Sequence, residues 1–132
     1  MPDDENVPDT TLDTVRVLIV DDQEPFLSAA RLVVQLAGGF EVVGEAMTGE
    51  DGVAKAGELQ PDLVLMDVNL PGIDGLEATR RIKSNSPGIV VVVLSTYEPD
   101  EYESRALDAG AKAFISKSDF DPDRLENVWS SS

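Results

Sequence analysis

With 132 residues, the chain is long enough for one domain that buries roughly two-thirds of its unfolded surface. A formal net charge of −16 argues against direct binding to nucleic acid or to an anionic membrane surface, although such acidity also serves solubility alone. The absence of Cys and His excludes disulfides, thiol chemistry and histidine ligands or bases, and it fits a cytoplasmic location. No apolar run approaches the ~20 residues of a membrane-spanning helix.

The first elements follow an acidic segment. Residues 1–14 carry five acidic residues and two prolines but no Lys or Arg, which predicts a disordered tail. The apolar segment 15–20 predicts a strand, and Pro25 suits the first position of a helix that ends at a pair of glycines. The expected inward stripe of that helix is Phe26, Ala29, Ala30, Val33, Val34 and Ala37. Segment 40–45 mixes polar and apolar residues, as an edge strand does.

The rest of the chain continues the alternation of strands and helices. Asp74 is suited to cap the third helix, whose core positions are Leu76, Thr79 and Ile82. A fifth helical stripe starts at Leu125. The remaining predicted strands are 63–66, 89–94 and 112–115, and the remaining predicted helices are 50–59 and 98–109.

Five β–α units in succession predict a doubly wound α/β domain. The expected order of its five-stranded parallel sheet is the flavodoxin-like 2-1-3-4-5, which places the second strand at an edge. We assign this domain to residues 15–129 and interpret 130–132 as a short tail or a truncated linker.

Polar side chains follow four of the predicted strands. Asp21 and Asp22 come after the first strand, Asp67 after the third, Ser95 after the fourth and Lys117 just beyond the fifth. The carboxyl ends of parallel strands meet in one crevice, so these groups are expected together. Because adjacent carboxylates repel one another and need a cation to coexist, the simplest interpretation is a Mg²⁺ and phosphoryl site.

Each of these residues also has an ordinary structural interpretation. Asp21 could cap the first helix, and Ser95 could be a strand-end hydroxyl. Lys117 alone would be a solvated surface charge in most proteins. The joint occurrence of the groups at one sheet edge favours the functional interpretation.

The motifs around these positions resemble the receiver domain of two-component response regulators. They occur in the family's order and at compatible spacing over residues 15–129. The matching segments are VLIVDD at 17–22, PDLVLMDVNLPGIDG at 61–75, VVVLST at 91–96 and AGAKAFISK at 109–117.

The resemblance implies a role for each matching residue. Asp67 would be the phosphoacceptor, and Mg²⁺ would be held by Asp22 directly, by Asp21 through a water, by Asp67 and by the backbone carbonyl of Asn69. The remaining roles are those of Lys117 and Ser95, which would contact phosphoryl oxygens, and of Phe114, which would be the switch aromatic.

Four positions depart from the common pattern or vary within the family, and Asn69 is one of the variable positions that flank the site. Ser118 follows Lys117 where many relatives carry a proline, so we expect a more mobile loop. Thr96 stands where many have alanine, and Tyr97 lies beside the expected path of the hydrolytic water.

The resemblance also implies partners. The phosphodonor would be a cognate histidine kinase, and Leu27, Leu32 and Leu36 predict an outward apolar surface for kinase docking or self-association as a homodimer. The alternative is that the tail or last helix covers these leucines.

The segment 40–46 and the missing proline after Lys117 favour a LuxR-type, NarL-like transcription regulator whose DNA-binding effector domain lies outside this chain. A stand-alone receiver is the alternative.

Two rival interpretations are weaker. A hydrolase of the haloacid dehalogenase type also uses an Asp nucleophile, but it needs a second Asp two residues on, where this chain has Asn69. A degenerate receiver that binds partners without phosphorylation is disfavoured by the intact Asp22, Asp67 and Lys117. We therefore predict no enzyme beyond self-phosphorylation and autodephosphorylation.

Overall fold

A computed structural model describes residues 14–96 and 99–131, with side chains in the second range from residue 102 onward. The predicted acidic tail, apart from Thr14, and Tyr97 therefore lie outside the described residues. The strands are β1 (Val15–Val20), β2 (Phe40–Ala46), β3 (Leu63–Asp67), β4 (Val90–Ser95) and β5 (Ala113–Ser116). The helices are α1 (Glu24–Ala37), α2 (Gly49–Leu59), α3 (Gly75–Asn85), α4 (Pro99–Asp108) and α5 (Pro122–Ser130), with a 3₁₀ turn at Lys117–Asp119.

The five strands form one parallel sheet in the order β2-β1-β3-β4-β5. This order confirms the predicted doubly wound α/β fold, and it places β2 at an edge as its mixed sequence indicated. The predicted strands agree with the observed bounds to within one residue at each end.

The central strands are buried on both faces, which explains their continuous apolar sequences. Val17 and Ile19 of β1 belong to a core layer shared with α1 and α5. Leu18 and Val20 belong to the opposite layer, shared with α2, α3 and α4. Helices on both faces leave the carboxyl edge of the sheet open for a site.

The core face of α1 agrees with the predicted stripe at most positions and differs from it at two. Its buried residues are Leu27, Ala30, Val34 and Ala37. Leu27, which we predicted to face outward, is only 1% exposed, and Ala29, which we predicted in the core, is exposed. The helix begins at Glu24, so Pro25 occupies its second position rather than its first.

The other predicted outward leucines are confirmed. Leu32 is 54% exposed and Leu36 is 65% exposed, so among the described residues nothing covers either of them fully. Helix α5 does not enclose them.

Within residues 14–96 and 99–131, none of the helices has both the length and the apolar character needed to cross a membrane.

Candidate phosphoryl site

Three carboxylates meet at the carboxyl edge of the sheet. Asp21 follows β1 and Asp67 ends β3, which is the neighbouring strand. Oxygens of Asp21, Asp22 and Asp67 all lie within 4.8 Å of one another. Asp21 and Asp67 are buried and Asp22 is exposed, so the cluster opens to solvent on one side.

Lys117 follows the edge strand β5 and completes the cluster at the same carboxyl edge of the sheet. Its Nζ lies 2.7 Å from Asp21 Oδ2 and 3.3 Å from Asp67 Oδ1. The side chain is 11% exposed, so the solvated-charge alternative for this lysine is wrong. One ammonium against three carboxylates leaves an excess of negative charge, which a divalent cation would balance.

Asp21 is not the cap of α1, because the N-cap residue is Gln23 and no side chain caps this helix, but its carboxylate makes two other contacts. Its Oδ1 accepts a hydrogen bond from the backbone amide of Gln23 at 2.8 Å, in the turn that leads into α1. Its Oδ2 accepts from Lys117. The carboxylate therefore fixes the turn and holds the lysine at the same time.

The Asp67 carboxyl is electrostatically unusual. Burial raises the pKa of Asp67 above its ordinary value to about 6, and the charge of Asp21 adds to the effect. The Lys117 ammonium and a hydrogen bond from the Asn69 backbone amide oppose it. Asp67 therefore ionises at a higher pH than an ordinary aspartate, and an all-oxygen donor set suits a hard cation such as Mg²⁺.

The other predicted site residues, Ser95, Asn69 and Phe114, differ in their burial and in their position relative to Asp67. Asp67 pairs with Leu94 in the sheet, so Ser95 ends the adjacent strand, where it is 1% exposed. Asn69 is exposed in the loop after β3. Phe114 is buried in the core layer that also contains Val93, and its switch role stays a prediction.

The loop between β3 and α3 is packed closely against the site. Gly75 donates its backbone N–H to the carbonyl of Val68 at 2.8 Å, and a Cβ at Gly75 would collide with the carbonyl oxygen of Asp67. Asp74 accepts from the amide of Glu77 at 2.9 Å, which confirms the predicted cap of α3. The start of α3 is thereby fixed directly behind the phosphoacceptor candidate.

Two residues near the site were missed by sequence reasoning. The ring of Phe26 lies beneath Lys117, with Nζ 4.3 Å from the ring centroid. The carboxylate of Glu50 accepts from the backbone amide of Ile73 in the loop after β3. The sequence predicts Phe26 only as part of the helical core stripe, and Glu50 belongs to the first turn of α2, where acidic residues are common.

A separate cavity of about 510 Å³ lies at the carboxyl end of β2. Its lining residues are Glu24, Leu27, Glu45, Ala46, Met47, Thr48, Asp51 and Lys55. None of the clustered Asp residues or Lys117 lines it, so the chemistry of the cluster does not belong to this cavity.

A family model described as the response regulator receiver domain matches residues 17–129. The chain belongs to this family of receiver domains. The matched region contains the three clustered carboxylates and Lys117.

Curated relatives agree with this assignment. The response regulator GacA of Pseudomonas viridiflava is 44% identical over 103 residues, covering 78% of this chain and 48% of that protein. The response regulator protein VraR of Staphylococcus aureus is 42% identical over 104 residues, covering 79% of this chain and 50% of that protein. The chain spans about half the length of the curated relatives it matches.

Solved structures share the fold. A LuxR-family two-component response regulator from Aurantimonas has a TM-score of 0.79 and 30% identity, with 86% of this chain and 81% of that chain covered. The response regulator domain of Thermotoga maritima CheB has a TM-score of 0.80 and 31% identity, with 88% and 94% covered. The similarity to LuxR-type regulators that the sequence predicts is thus confirmed.

Proposed function

We propose that this receiver domain accepts a phosphoryl group on Asp67 and switches a signalling output in response. The observation that carries the proposal is the placement of the Asp67 carboxylate between Asp21, Asp22 and Lys117. The phosphodonor would be the phosphohistidine of a cognate histidine kinase, or a small molecule such as acetyl phosphate.

In the proposed reaction, an oxygen of Asp67 attacks phosphorus and the bond from phosphorus to the donor breaks, leaving an acyl phosphate on the protein. Such transfers depend mainly on positioning and charge neutralisation. Lys117 already lies 3.3 Å from Asp67 and would pair with a phosphoryl oxygen as a point charge. Ser95, at the end of the neighbouring strand, would donate its hydroxyl to another oxygen, and Phe114 would report the change to the surface.

Mg²⁺ would supply positive charge against the phosphoryl oxygens. The residues that would hold it are Asp22, Asp21 through a water, Asp67 and the backbone carbonyl of Asn69. The carboxylate oxygens within 4.8 Å of one another support this donor set. Asp21 has a second task in the proposal, because its contact with Lys117 keeps the ammonium at the site.

We infer that the output is transcription regulation through a DNA-binding effector domain outside the described residues, in a cytoplasmic protein that dimerises. The similarity to a LuxR-family regulator supports this inference. The equally close fold of the CheB domain keeps a different output as the alternative, since the receiver fold alone does not specify what it controls.

The test is incubation with acetyl phosphate and MgCl₂, followed by Phos-tag electrophoresis and intact-mass measurement. We expect one phosphoryl group on the wild type and none on Asp67→Asn. Asp108→Asn, which changes an exposed carboxylate on α4, is the matched control and should be labelled like the wild type. Undiminished labelling of Asp67→Asn would overturn the proposal.

A further inference from the structure

The ammonium of Lys117 is enclosed on three sides. Asp21 and Asp67 lie on two of them, and the ring of Phe26, the third residue of α1, lies on the other. The Nζ-to-centroid distance of 4.3 Å is within the range of a cation–π interaction. Because the lysine side chain is only 11% exposed, this attraction acts on an ammonium that has lost most of its water, where it is strongest.

The ring itself is held in place by a second aromatic residue. Phe26 packs against Phe120 with centroids 6.4 Å apart and planes tilted by 43°. Phe120 is buried, and its amide donates to the carbonyl of Lys117 at 3.3 Å, which closes the 3₁₀ turn. Phe26 thus contacts both the lysine head group and the turn from which the lysine extends.

This arrangement bears on the serine at position 118. A proline after the lysine would restrict the backbone there, and Ser118 does not. The contact between Phe26 and Phe120 restrains the turn after Lys117 in another way, because Phe26 belongs to α1 and not to the loop itself. Whether the loop is more mobile than in proline-containing relatives stays a prediction.

We propose that Phe26 is a positioning residue for phosphoryl transfer: its ring face holds the Lys117 ammonium between Asp21 and Asp67, where it meets the incoming phosphoryl group. The inference rests on the proposed phosphoacceptor function. The ring touches neither phosphorus nor the donor, so it acts only through the lysine. A ring face that attracts the cation less strongly leaves the ammonium less well placed, and the rate of transfer falls.

The test varies the electrostatics of the ring while keeping its shape. Phenylalanine analogues with one, two and three ring fluorines are incorporated at position 26, since each fluorine weakens the negative potential of the ring face. We expect the rate constant for labelling at saturating acetyl phosphate to fall stepwise, by roughly threefold to tenfold over the series. The donor concentration at half-saturation and the Mg²⁺ affinity should stay nearly constant, because the ring contacts neither.

The matched control is the same series at Phe40, a half-buried aromatic that packs against Trp129 at 6.4 Å with no part in the cluster. Fluorination there should leave the rate unchanged. Phe26→Trp should keep most of the labelling rate constant, and Phe26→Leu should lose most of it. If Phe26→Leu fails to fold, the fluorinated series still tests the inference.

Equal rate constants across the position-26 series, with normal labelling at Asp67, would overturn the inference and leave the proposed function intact. A wild-type protein that accepts no phosphoryl group would overturn the proposed function and the inference with it.

Discussion

The Glu50 carboxylate accepts a hydrogen bond from the Ile73 backbone amide at 3.1 Å, which joins the start of α2 to the loop between β3 and α3. Gly72, beside it, has a φ of +78°, and a Cβ there would collide with the same carboxylate. The loop held in this way carries Asn69 and leads from Asp67 to α3. A residue outside the acidic cluster therefore restrains the loop that borders it.

Replacing Glu50 should weaken Mg²⁺ binding through this restraint. We expect Glu50→Ala to lower the affinity roughly threefold to tenfold, because only part of the about 1.5–3 kcal/mol that a hydrogen bond to a charged group contributes reaches the metal site through the loop. Isothermal titration with MgCl₂ measures it. Glu50→Gln removes the charge but keeps an acceptor for Ile73, so it should stay close to the wild type; equal losses in both variants would assign the effect to charge alone.

Gly75→Ala should destabilise the domain. Its Cβ would meet the carbonyl oxygen of Asp67, which is backbone and cannot rotate away, so we expect a loss of about 1–3 kcal/mol in the free energy of unfolding. Gly57→Ala is the control on α2, where nothing lies within 4 Å of the added methyl group. That change should stabilise by about 0.5–1 kcal/mol, since alanine favours helix. Urea denaturation distinguishes the two, and similar values would contradict the packing argument.

The stability of the metal-free domain should depend on pH through Asp67. Its pKa of about 6 in the folded chain exceeds the unfolded value near 4, so the folded state binds more protons between these limits. The contribution is fully present below pH ~4 and is lost as pH rises through ~6. Because Asp67→Asn cannot ionise, its advantage over the wild type should grow by up to about 3 kcal/mol from pH ~4 to ~7. Urea denaturation in EDTA measures this difference, and a difference independent of pH would show that Asp67 ionises normally.

Mg²⁺ should stabilise the wild type in a saturable manner. Binding to the folded state alone adds about 2.7 kcal/mol at a concentration one hundred times the dissociation constant. Asp22→Ala should remove most of this gain while Asp108→Asn keeps it, since Asp22 belongs to the cluster and Asp108 lies on α4. Thermal unfolding over a MgCl₂ titration at constant ionic strength is the measurement. An equal rise in all three proteins would indicate general charge screening.

The leucines of α1 should separate folding from partner binding. Leu27 is 1% exposed, so Leu27→Ala should destabilise by about 2–5 kcal/mol. Leu32 is 54% exposed, so Leu32→Glu should change stability by no more than about 0.5 kcal/mol. We expect Leu32→Glu to slow phosphorylation by a histidine kinase that labels the wild type, with acetyl phosphate labelling unchanged. Unfolding of Leu32→Glu would show that the residue belongs to the core.

Much of the fold could be predicted because the strands are continuous apolar segments with polar residues at their ends. The sheet order, the edge position of β2 and the meeting of Asp21, Asp67 and Lys117 all followed from that pattern. The burial of Leu27 and the exposure of Ala29 in α1 did not follow, because both residues are apolar and the sequence alone does not fix which of them faces the core.

The contacts of Phe26 and Glu50 could not be predicted for a different reason. Each contact joins a residue at the start of a helix to a partner that is distant in the sequence. The partners lie in segments without periodicity, which are the turn after β5 and the loop after β3. An aromatic or acidic residue at a helix start has many structural uses. Only the assembled backbone decides which partner it meets.

The bond between Asp21 and Lys117 spans 96 positions along the chain. During synthesis the ribosome adds all three carboxylates of the cluster before it adds the lysine. Until β5 docks at the far side of the sheet, that acidic cluster has no ammonium of its own among the described residues. Competence for phosphoryl chemistry therefore requires the docking of β5, so a nascent or partly unfolded chain without that strand in place would be a poor phosphoryl acceptor.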